Sequence, residues 1–257
     1  MNLSSTRSSV RIDPPVVQIT LNHPPLNVID IPLMEELRSA IAEADARTDV
    51  SVIVLAGSHR AFSAGVDVTA HAPEKVAEML EKLHAVFRAM VTSRKVLVAA
   101  VRGHCLGGGA ELALVCDIVV TSEAATWAFP EIKLACFPPV ATTALASLAG
   151  QKRAAQLILT GQTFSGKQAV EWGLANEAVA PEAVAATVAA VVEQLAALSP
   201  AALAVTKRAI YAWDAAHFDK GLARAEKVYL EELMKTEDAR EGIAAFLEKR
   251  EPRWKGR

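Results

Sequence analysis

The hydrophobic residues of this chain follow two different periods along its first two-thirds. Short apolar runs rich in β-branched residues predict strands, and the middle runs are apolar enough to be buried on both faces. The predicted strands are 16–22, 51–57, 96–103 and 117–122. Between them, apolar residues recur at helical spacing from Leu33 to Ala44 and from Met79 to Met90. Strands that alternate with helices indicate an α/β core.

The last third of the chain has a helical pattern. The strand signals fade apart from NEAVA (176–180), and four alanine- and leucine-rich segments predict successive helices. Ser199-Pro200 and Thr236 have residue types that favour helix starts. Such a tail indicates a subdomain or an oligomer contact surface. We therefore divide the chain into a loose N-terminal tail (1–10), an α/β core (11–195) and a helical C-terminal oligomerisation region (196–257).

Composition narrows the class of protein. The chain has 257 residues, of which 52% are hydrophobic, so it can bury a sizeable core. Its net charge of −2 gives no basic excess to favour nucleic acid or an anionic membrane surface. Its three cysteines form no CxxC pair, so we expect neither a disulfide framework nor a metal. The polar start and the short apolar runs resemble neither a secretory signal nor a membrane span, and we expect a soluble cytoplasmic protein.

Residues 161–168, GQTFSGKQ, come close to the phosphate-binding pattern GxxxxGK[ST]. The last position fails, because Gln168 has no hydroxyl to hold magnesium. Ser165 with Gln168 three residues later is instead typical of a capping box. We therefore interpret this segment as a helix start and not as a nucleotide site.

The segment RGHCLGGGAE (102–111) combines three successive glycines with a glutamate ahead of an apolar run. Glycine at a strand-to-helix junction lets backbone N–H groups approach a developing negative charge closely, although a tight turn alone can also require it. Glu111 is either a first-turn acid that complements the helix dipole or a buried carboxylate with a functional role. Glu131, directly after Pro130, is either an ordinary solvated residue or a second functional carboxylate.

A third segment, HRAFSAGVDV (59–68), follows a predicted strand with another turn of small residues that can expose a backbone N–H. Together the three segments can supply two backbone donors and two carboxylates to one cleft. That combination is what acid–base chemistry beside a stabilised oxyanion requires. His71 and His104 lie near these turns without obvious metal-ligand partners, so we assign them no role in the chemistry.

Five segments, in this order, resemble the enoyl-CoA hydratase/isomerase (crotonase) superfamily. They are AFSAGVDV, VRGHCLGGGAELALVCDIVV, FPEIKL, LTGQTFSGKQAVEWGLANEAV and AFLEKREP. The resemblance covers almost the whole chain. It implies a spiral of ββα units with a helical C-terminal trimerisation region, assembly as a homotrimer or a dimer of trimers, and coenzyme A thioesters as substrates. It implies no cofactor beyond the coenzyme A that the substrate carries.

The resemblance also implies roles for individual residues. Gly108, the middle glycine of the triplet, and Val66 match the family positions whose backbone N–H groups form an oxyanion hole for the thioester oxygen. The backbone near Ala64 matches the segment that meets the adenine of coenzyme A. Phe246 and Lys249 match positions that reach the coenzyme A of a neighbouring subunit.

Family hydratases carry two glutamates, and both matching positions are glutamate here, Glu111 and Glu131. The pair would position a water, with one carboxylate taking its proton while a proton is delivered to Cα. Double-bond isomerases of the family typically keep only the second glutamate, so the pair favours hydration of an α,β-unsaturated acyl-CoA. An isomerase or another enolate-forming enzyme stays an alternative. So does an RNA-binding member of the superfamily, for which the composition offers no basic surface.

The chain departs from the common family pattern near the second glutamate. Pro139 stands where a backbone N–H donor is expected, and Phe129 replaces a small polar residue. If Trp127, Phe129 and Phe137 face the cleft, they make an apolar, rigid acyl pocket for a flat ring; the alternative is that they are core packing groups. GVDVTAHAPE combined with PEIKLACFPPVA resembles the cyclohexa-1,5-diene-1-carbonyl-CoA hydratases, which implies a cyclic dienoyl-CoA substrate.

Overall fold

A computed structural model describes residues 2–4, 7–58, 60–211 and 214–257 of the chain. These residues form two β-sheets with helices packed around them. In chain order the strands are β1 (Asn2–Ser4), β2 (Ser8–Asp13), β3 (Val16–Leu21), β4 (Val52–Gly57), β5 (Ala61–Ser63), β6 (Val96–Val101), β7 (His104–Leu106), β8 (Ile118–Ser122), β9 (Thr126–Ala128), β10 (Phe164–Ser165) and β11 (Glu177–Val179).

The larger sheet has the spatial order β1-β2-β3-β4-β6-β8-β11, and the smaller sheet has the order β10-β9-β7-β5. The strands from β3 to β11 in the larger sheet are parallel, and so are β5, β7 and β9 in the smaller one. Each of the pairs β4/β5, β6/β7 and β8/β9 places one strand in each sheet. Successive units therefore step along both sheets together, which is the spiral of ββα units that the resemblance implies.

The four long strands predicted from apolar runs are all present, as β3, β4, β6 and β8. The middle two, β4 and β6, are buried on both faces. Leu55 and Ala99 lie in the main core, whereas Val54 and Val98 lie in a second cluster with Val184. This double burial explains why these strands are continuous apolar runs and do not alternate with polar residues.

The helices are α1 (Ile31–Ala46), α2 (Val76–Thr92), α3 (Gly108–Leu114), α4 (Pro139–Ala149), α5 (Gln151–Thr160), α6 (Gly166–Glu171), α7 (Val184–Ala196), α8 (Pro200–Tyr211), α9 (Asp214–Glu231) and α10 (Glu237–Leu247). The predicted capping box is confirmed: Gln168 N–H donates to Ser165 Oγ, and Ser165 N–H donates to Gln168 Oε1. Within the described ranges no single helix has both the length and the hydropathy for a membrane crossing. Helices α7 and α8 have the required length and hydropathy only when they are taken together, and the two are bent by 105° relative to each other.

The C-terminal helices fold back onto the α/β core of the same chain. α9 packs on α2 and α4, and α10 packs on two short 3-10 helices, Val68–His71 and Pro130–Leu134. Lys207 of α8 forms an ion pair of 2.7 Å with Asp117, whose carboxylate also accepts from the N–H of Leu97 at 2.7 Å. This ion pair ties the helical region to the larger sheet.

The prediction of a loose tail over residues 1–10 is wrong for most of that segment. Ser8, Ser9 and Val10 pair with β3 in antiparallel register, and β1 pairs with β2 in turn. Val10 and Ile12 pack against the main core. Apolar residues two apart on an antiparallel strand share one face, and that face holds the segment on the protein.

Candidate active site

Three of the sequence segments meet at one edge of the smaller sheet. Val66 follows β5, Gly108 follows β7, and Glu131 comes shortly after β9. Because these three strands are parallel neighbours, their carboxyl ends lie side by side. The pairing of three short strands therefore assembles groups that are far apart in the sequence.

Each glycine of the triplet occupies a position where a side chain has no room. Gly107 has φ 51° and ψ −128°, a conformation that other residues rarely adopt, and a Cβ there would lie 2.5 Å from Oε1 of Glu131. A Cβ on Gly108 would lie 2.8 Å from Cγ2 of Val66. A Cβ on Gly109 would meet the backbone of β5. The triplet thus lets the start of α3 approach both neighbouring segments.

The backbone N–H groups of Val66 and Gly108, both at this edge, have no acceptor within the described chain. Gly108 begins α3, where the first N–H groups have no intrahelical partner. A Cβ on Gly108 would lie 3.6 Å from the nitrogen of Val66 and 3.9 Å from Oε2 of Glu111. The space beside Gly108 is therefore bounded by backbone donors and by a carboxyl group.

Glu111 lies in α3 with only 1% of its surface exposed. Its Oε1 accepts hydrogen bonds from the backbone N–H groups of Val140 and Ala141, both at 2.9 Å. Burial raises the pKa of this carboxyl to about 7, and the two hydrogen bonds oppose the rise. Pro139 is the first residue of α4, a position that needs no N–H for the helix. It starts the helix whose next two N–H groups hold Glu111.

Glu131 lies in the 3-10 helix Pro130–Leu134. The residue as a whole is half-buried, but its Oε2 atom is fully buried and has no hydrogen-bond partner among the described residues. Burial, and then the nearby charge of Glu111, raise the pKa of this carboxyl well above its ordinary value. Double ionisation of such a pair is disfavoured, so near neutral pH the site can offer one proton and accept another.

Both carboxyls and both backbone donors line one cavity of about 480 Å³, and Ala64 lines it as well. Much of the remaining wall is apolar and includes Leu80, Leu83 and Phe137. A few converging polar groups on an apolar wall are typical of a site for a small organic molecule.

The polar residues of this wall that were not predicted include His71 and Tyr229. His71 is buried, its Nδ1 lies 3.1 Å from the carbonyl oxygen of Asp67, and burial lowers its pKa. Tyr229 comes from α9. His71 could have been predicted to lie near the site, because it comes just after the 59–68 turn in the sequence. Tyr229 lies in an ordinary helical segment and has no such signal.

Of the two interpretations of Trp127 and Phe129, the one that places them in the acyl pocket is wrong, and they are core packing groups. Both are fully buried in the core, where their rings lie 6.1 Å and 6.3 Å from the ring of Phe164. Trp127 also donates from Nε1 to Oγ1 of Thr121 at 3.1 Å. The two aromatic residues are two apart on an extended segment and therefore share a face, which is directed away from the cavity. Phe137 alone of the three lines the cavity.

The C-terminal residues Phe246 and Lys249 are placed differently from each other. Phe246 of α10 lines the cavity of its own chain, although the sequence assigned it to the coenzyme A of a neighbouring subunit. The reason is that α10 packs against Pro130–Leu134 of the same polypeptide. Lys249 does not line the cavity, whereas Arg250 does. A contact between Lys249 and a ligand in another subunit stays a prediction.

These features define an α/β protein of the ββα-spiral type, with a site that can polarise a carbonyl oxygen and transfer protons beside it. The sequence matches the family model for enoyl-CoA hydratase/isomerase over residues 11–257. The chain belongs to this family.

Similar proteins carry related names. The chain is 36% identical to a probable enoyl-CoA hydratase of Rhizobium meliloti, over 93% of the chain and 94% of that protein. It is 33% identical to the cyclohexa-1,5-dienecarbonyl-CoA hydratase of Thauera aromatica, over 95% of each. The crystal structure of an enoyl-CoA hydratase from Mycobacterium avium subsp. paratuberculosis superposes with a TM-score of 0.88 at 28% identity, covering 98% of this chain and 99% of that one.

Proposed function

We propose that this protein adds water across the double bond of an α,β-unsaturated acyl-CoA thioester. One observation carries the proposal: two backbone N–H groups without protein acceptors, Val66 and Gly108, share a cavity with the carboxyls of Glu111 and Glu131. Family membership and the hydratase names of the relatives support the same reaction.

The backbone donors would act on the thioester carbonyl oxygen. Hydrogen bonds from Val66 and Gly108 stabilise the negative charge that this oxygen gains as the π electrons of the double bond move toward it. Each such donor typically contributes about 3–4 kcal/mol to the transition state. Because neither N–H has a competing protein acceptor, both are available without rearrangement.

The two carboxyls would transfer the protons. The oxygen of a water molecule bonds to the β-carbon, and its proton goes to the ionised carboxylate. The protonated carboxyl delivers a proton to the α-carbon, so the product is a hydroxyacyl-CoA and the pair keeps the same number of protons. The raised pKa values of Glu111 and Glu131 suit this exchange near neutral pH. Coenzyme A takes part as the handle of the substrate, and the backbone at Ala64 would meet its adenine.

Purified protein and a panel of linear and cyclic enoyl- and dienoyl-CoA thioesters test the proposal. We expect loss of the enoyl-thioester absorbance and a product heavier by one water. An isomerase would give a product of unchanged mass. Glu131→Gln keeps the size of the side chain but removes its proton chemistry, and it should lose most of the activity. A wild type that is silent across the whole panel would contradict the proposal.

We further propose a cyclic conjugated dienoyl group as the preferred acyl group. The similarity to the Thauera aromatica protein supports this choice. So do the rings of Phe137 and Tyr229, which pack edge to face, 5.0 Å apart, in the cavity wall. A rigid ring has less rotational freedom to lose in such a pocket than a flexible chain. We expect a higher kcat/KM for a cyclic dienoyl-CoA than for crotonyl-CoA, and the reverse order would exclude this preference.

We also propose that the protein is a homotrimer or a dimer of trimers. Large apolar side chains are exposed on α4, α5 and α8, at Leu148, Leu159, Val205 and Ile210. Exposed apolar groups of this size favour burial against another copy of the chain. Light scattering at micromolar concentration should give the mass of three or six chains. A stable monomer would contradict the proposal.

A further inference from the structure

Tyr229 lines the cavity and has a hydroxyl that no oxygen or nitrogen of the described protein satisfies. The residue is 1% exposed, and its Oη is buried without a hydrogen-bond partner among the described residues. Cys136 lies beside it, but its sulfur can accept only a weak hydrogen bond from the hydroxyl, and the proton of the thiol itself goes to the carbonyl of Leu134 at 3.5 Å. Buried polar atoms nearly always have a partner, so this hydroxyl indicates a molecule that enters the cavity.

The aromatic ring alone does not explain why this residue is tyrosine. The ring packs edge to face on Phe137, and phenylalanine would fill the same space without an unpaired hydroxyl. Burial raises the pKa of Tyr229 well above its ordinary value, and the charge and hydrogen bond of Cys136 and then the charges of Glu131 and Glu111 act in the same direction. The hydroxyl therefore keeps its proton and is available as a hydrogen-bond donor.

Glu131 supplies the complementary group. Its Oε2 is buried without a partner in the described chain, and the residue lines the same cavity. A carboxyl keeps an accepting oxygen whether or not it is protonated. A donor and an acceptor that face one cavity are satisfied together by a small molecule that can both accept and donate. The thioester oxygen only accepts, and Val66 and Gly108 already provide for it.

We propose that the hydroxyl of Tyr229 donates a hydrogen bond to the water molecule that adds to the double bond. This inference rests on the proposed hydration activity. The water would donate its two O–H groups to Glu111 and Glu131 and accept the hydrogen bond of Tyr229 with one lone pair. Its second lone pair is then free to attack the β-carbon. Pro138 and Pro139 also line the cavity, but neither has an N–H that could do the same.

This role can be tested with two reactions. Both use the oxyanion site, but only one of them needs the added water. One is hydration of crotonyl-CoA. The other is exchange of an α-hydrogen of butyryl-CoA for deuterium in D2O, followed by mass spectrometry, which needs a polarised carbonyl and a carboxylate base only. Both are measured for the wild type, for Tyr229→Phe and for Tyr211→Phe. The control removes the chain's other tyrosine hydroxyl, which does not line this cavity.

We expect Tyr229→Phe to lower kcat for hydration on the order of 10- to 100-fold, with KM and α-hydrogen exchange unchanged. Its melting temperature should change little, because at most a weak hydrogen bond to the sulfur of Cys136 is lost. Tyr211→Phe should keep the wild-type kcat. Equal loss of both reactions in Tyr229→Phe, or unchanged hydration, would overturn the inference. A wild type that exchanges the α-hydrogen but hydrates no enoyl-CoA would refute the proposed function, and this inference with it.

Discussion

Replacing Gly108 by alanine separates the chemistry of the site from the stability of the fold. Gly108 lies in the first turn of α3 without a positive φ, so alanine fits its backbone conformation. The added methyl group would lie 2.8 Å from Cγ2 of Val66, 3.6 Å from its nitrogen and 3.9 Å from Oε2 of Glu111. It therefore enters the space in which a thioester oxygen would meet both backbone donors.

The expected loss of activity, expressed as free energy, is larger than the expected loss of stability. Removing one oxyanion donor typically lowers kcat by about 10²- to 10³-fold, or about 3–4 kcal/mol. In a helix, alanine gains about 1 kcal/mol over glycine, whereas crowding of the Val66 methyl group costs about 1–3 kcal/mol. The free energy of unfolding of Gly108→Ala should therefore fall by about 2 kcal/mol or less.

Steady-state hydration of crotonyl-CoA, with calorimetry on the same samples, measures both effects. Gly150→Ala is the matched control. Gly150 has φ 75° and ψ 152°, where a side chain is strained by about 1–3 kcal/mol, and no atom lies within 4 Å of the Cβ that alanine would add. This variant should lose comparable stability and keep its kcat, because Gly150 does not line the cavity.

A folded Gly108→Ala protein whose kcat stays within about tenfold of the wild type would refute the role of Gly108 as an oxyanion donor. An equal loss of kcat in Gly150→Ala would also contradict this role. The loss of activity would then be explained by the loss of stability and not by a methyl group in the oxyanion site.

Three further predictions concern the carboxyl pair and a buried aromatic residue. Because burial raises the pKa of Glu111 to about 7, a pH–rate profile should show kcat/KM falling below about pH 7, as the pair takes up its second proton. The folded protein binds this proton more tightly than the unfolded chain, so stability should decrease by at most about 3 kcal/mol as the pH rises from 4.5 to about 7. Glu111→Gln should remove this part of the pH dependence of the melting temperature, and an unchanged dependence would exclude Glu111 as its source. Phe129→Ala should lower the free energy of unfolding by about 3–5 kcal/mol in a denaturant titration and leave the preference between cyclic and linear substrates unchanged. A changed preference would mean that Phe129 reaches the acyl group.

The sequence by itself determined the fold class and the chemical groups of the site. Strands buried on both faces must be continuous apolar runs, so β4 and β6 could be predicted from such runs, while β3 and β8 could be predicted from their β-branched residues. The glycine triplet ahead of Glu111 is costly in both helix and strand, which marked it as a functional turn. The order and spacing of the motifs then indicated the family, and with it the roles expected of Val66, Gly108 and Glu131.

Local patterns did not reveal the smaller sheet. β5, β7 and β9 have three residues each, too few to show a period of two. Their parallel pairing nevertheless places Val66, Gly108 and Glu131 at one edge. The sequence identified the residues of the site, but only the pairing of these strands brings them close together.

Only the tertiary structure decided which side chains face the cavity. Trp127 and Phe129 are neighbours of Glu131 in sequence, but the face that they share is directed into the core against Phe164. Tyr229 and Phe246 are far from Glu131 in sequence, yet the packing of α9 and α10 brings both to the same cavity. The direction of a side chain and the docking of a helix depend on contacts with distant parts of the chain, and local spacing does not record those contacts.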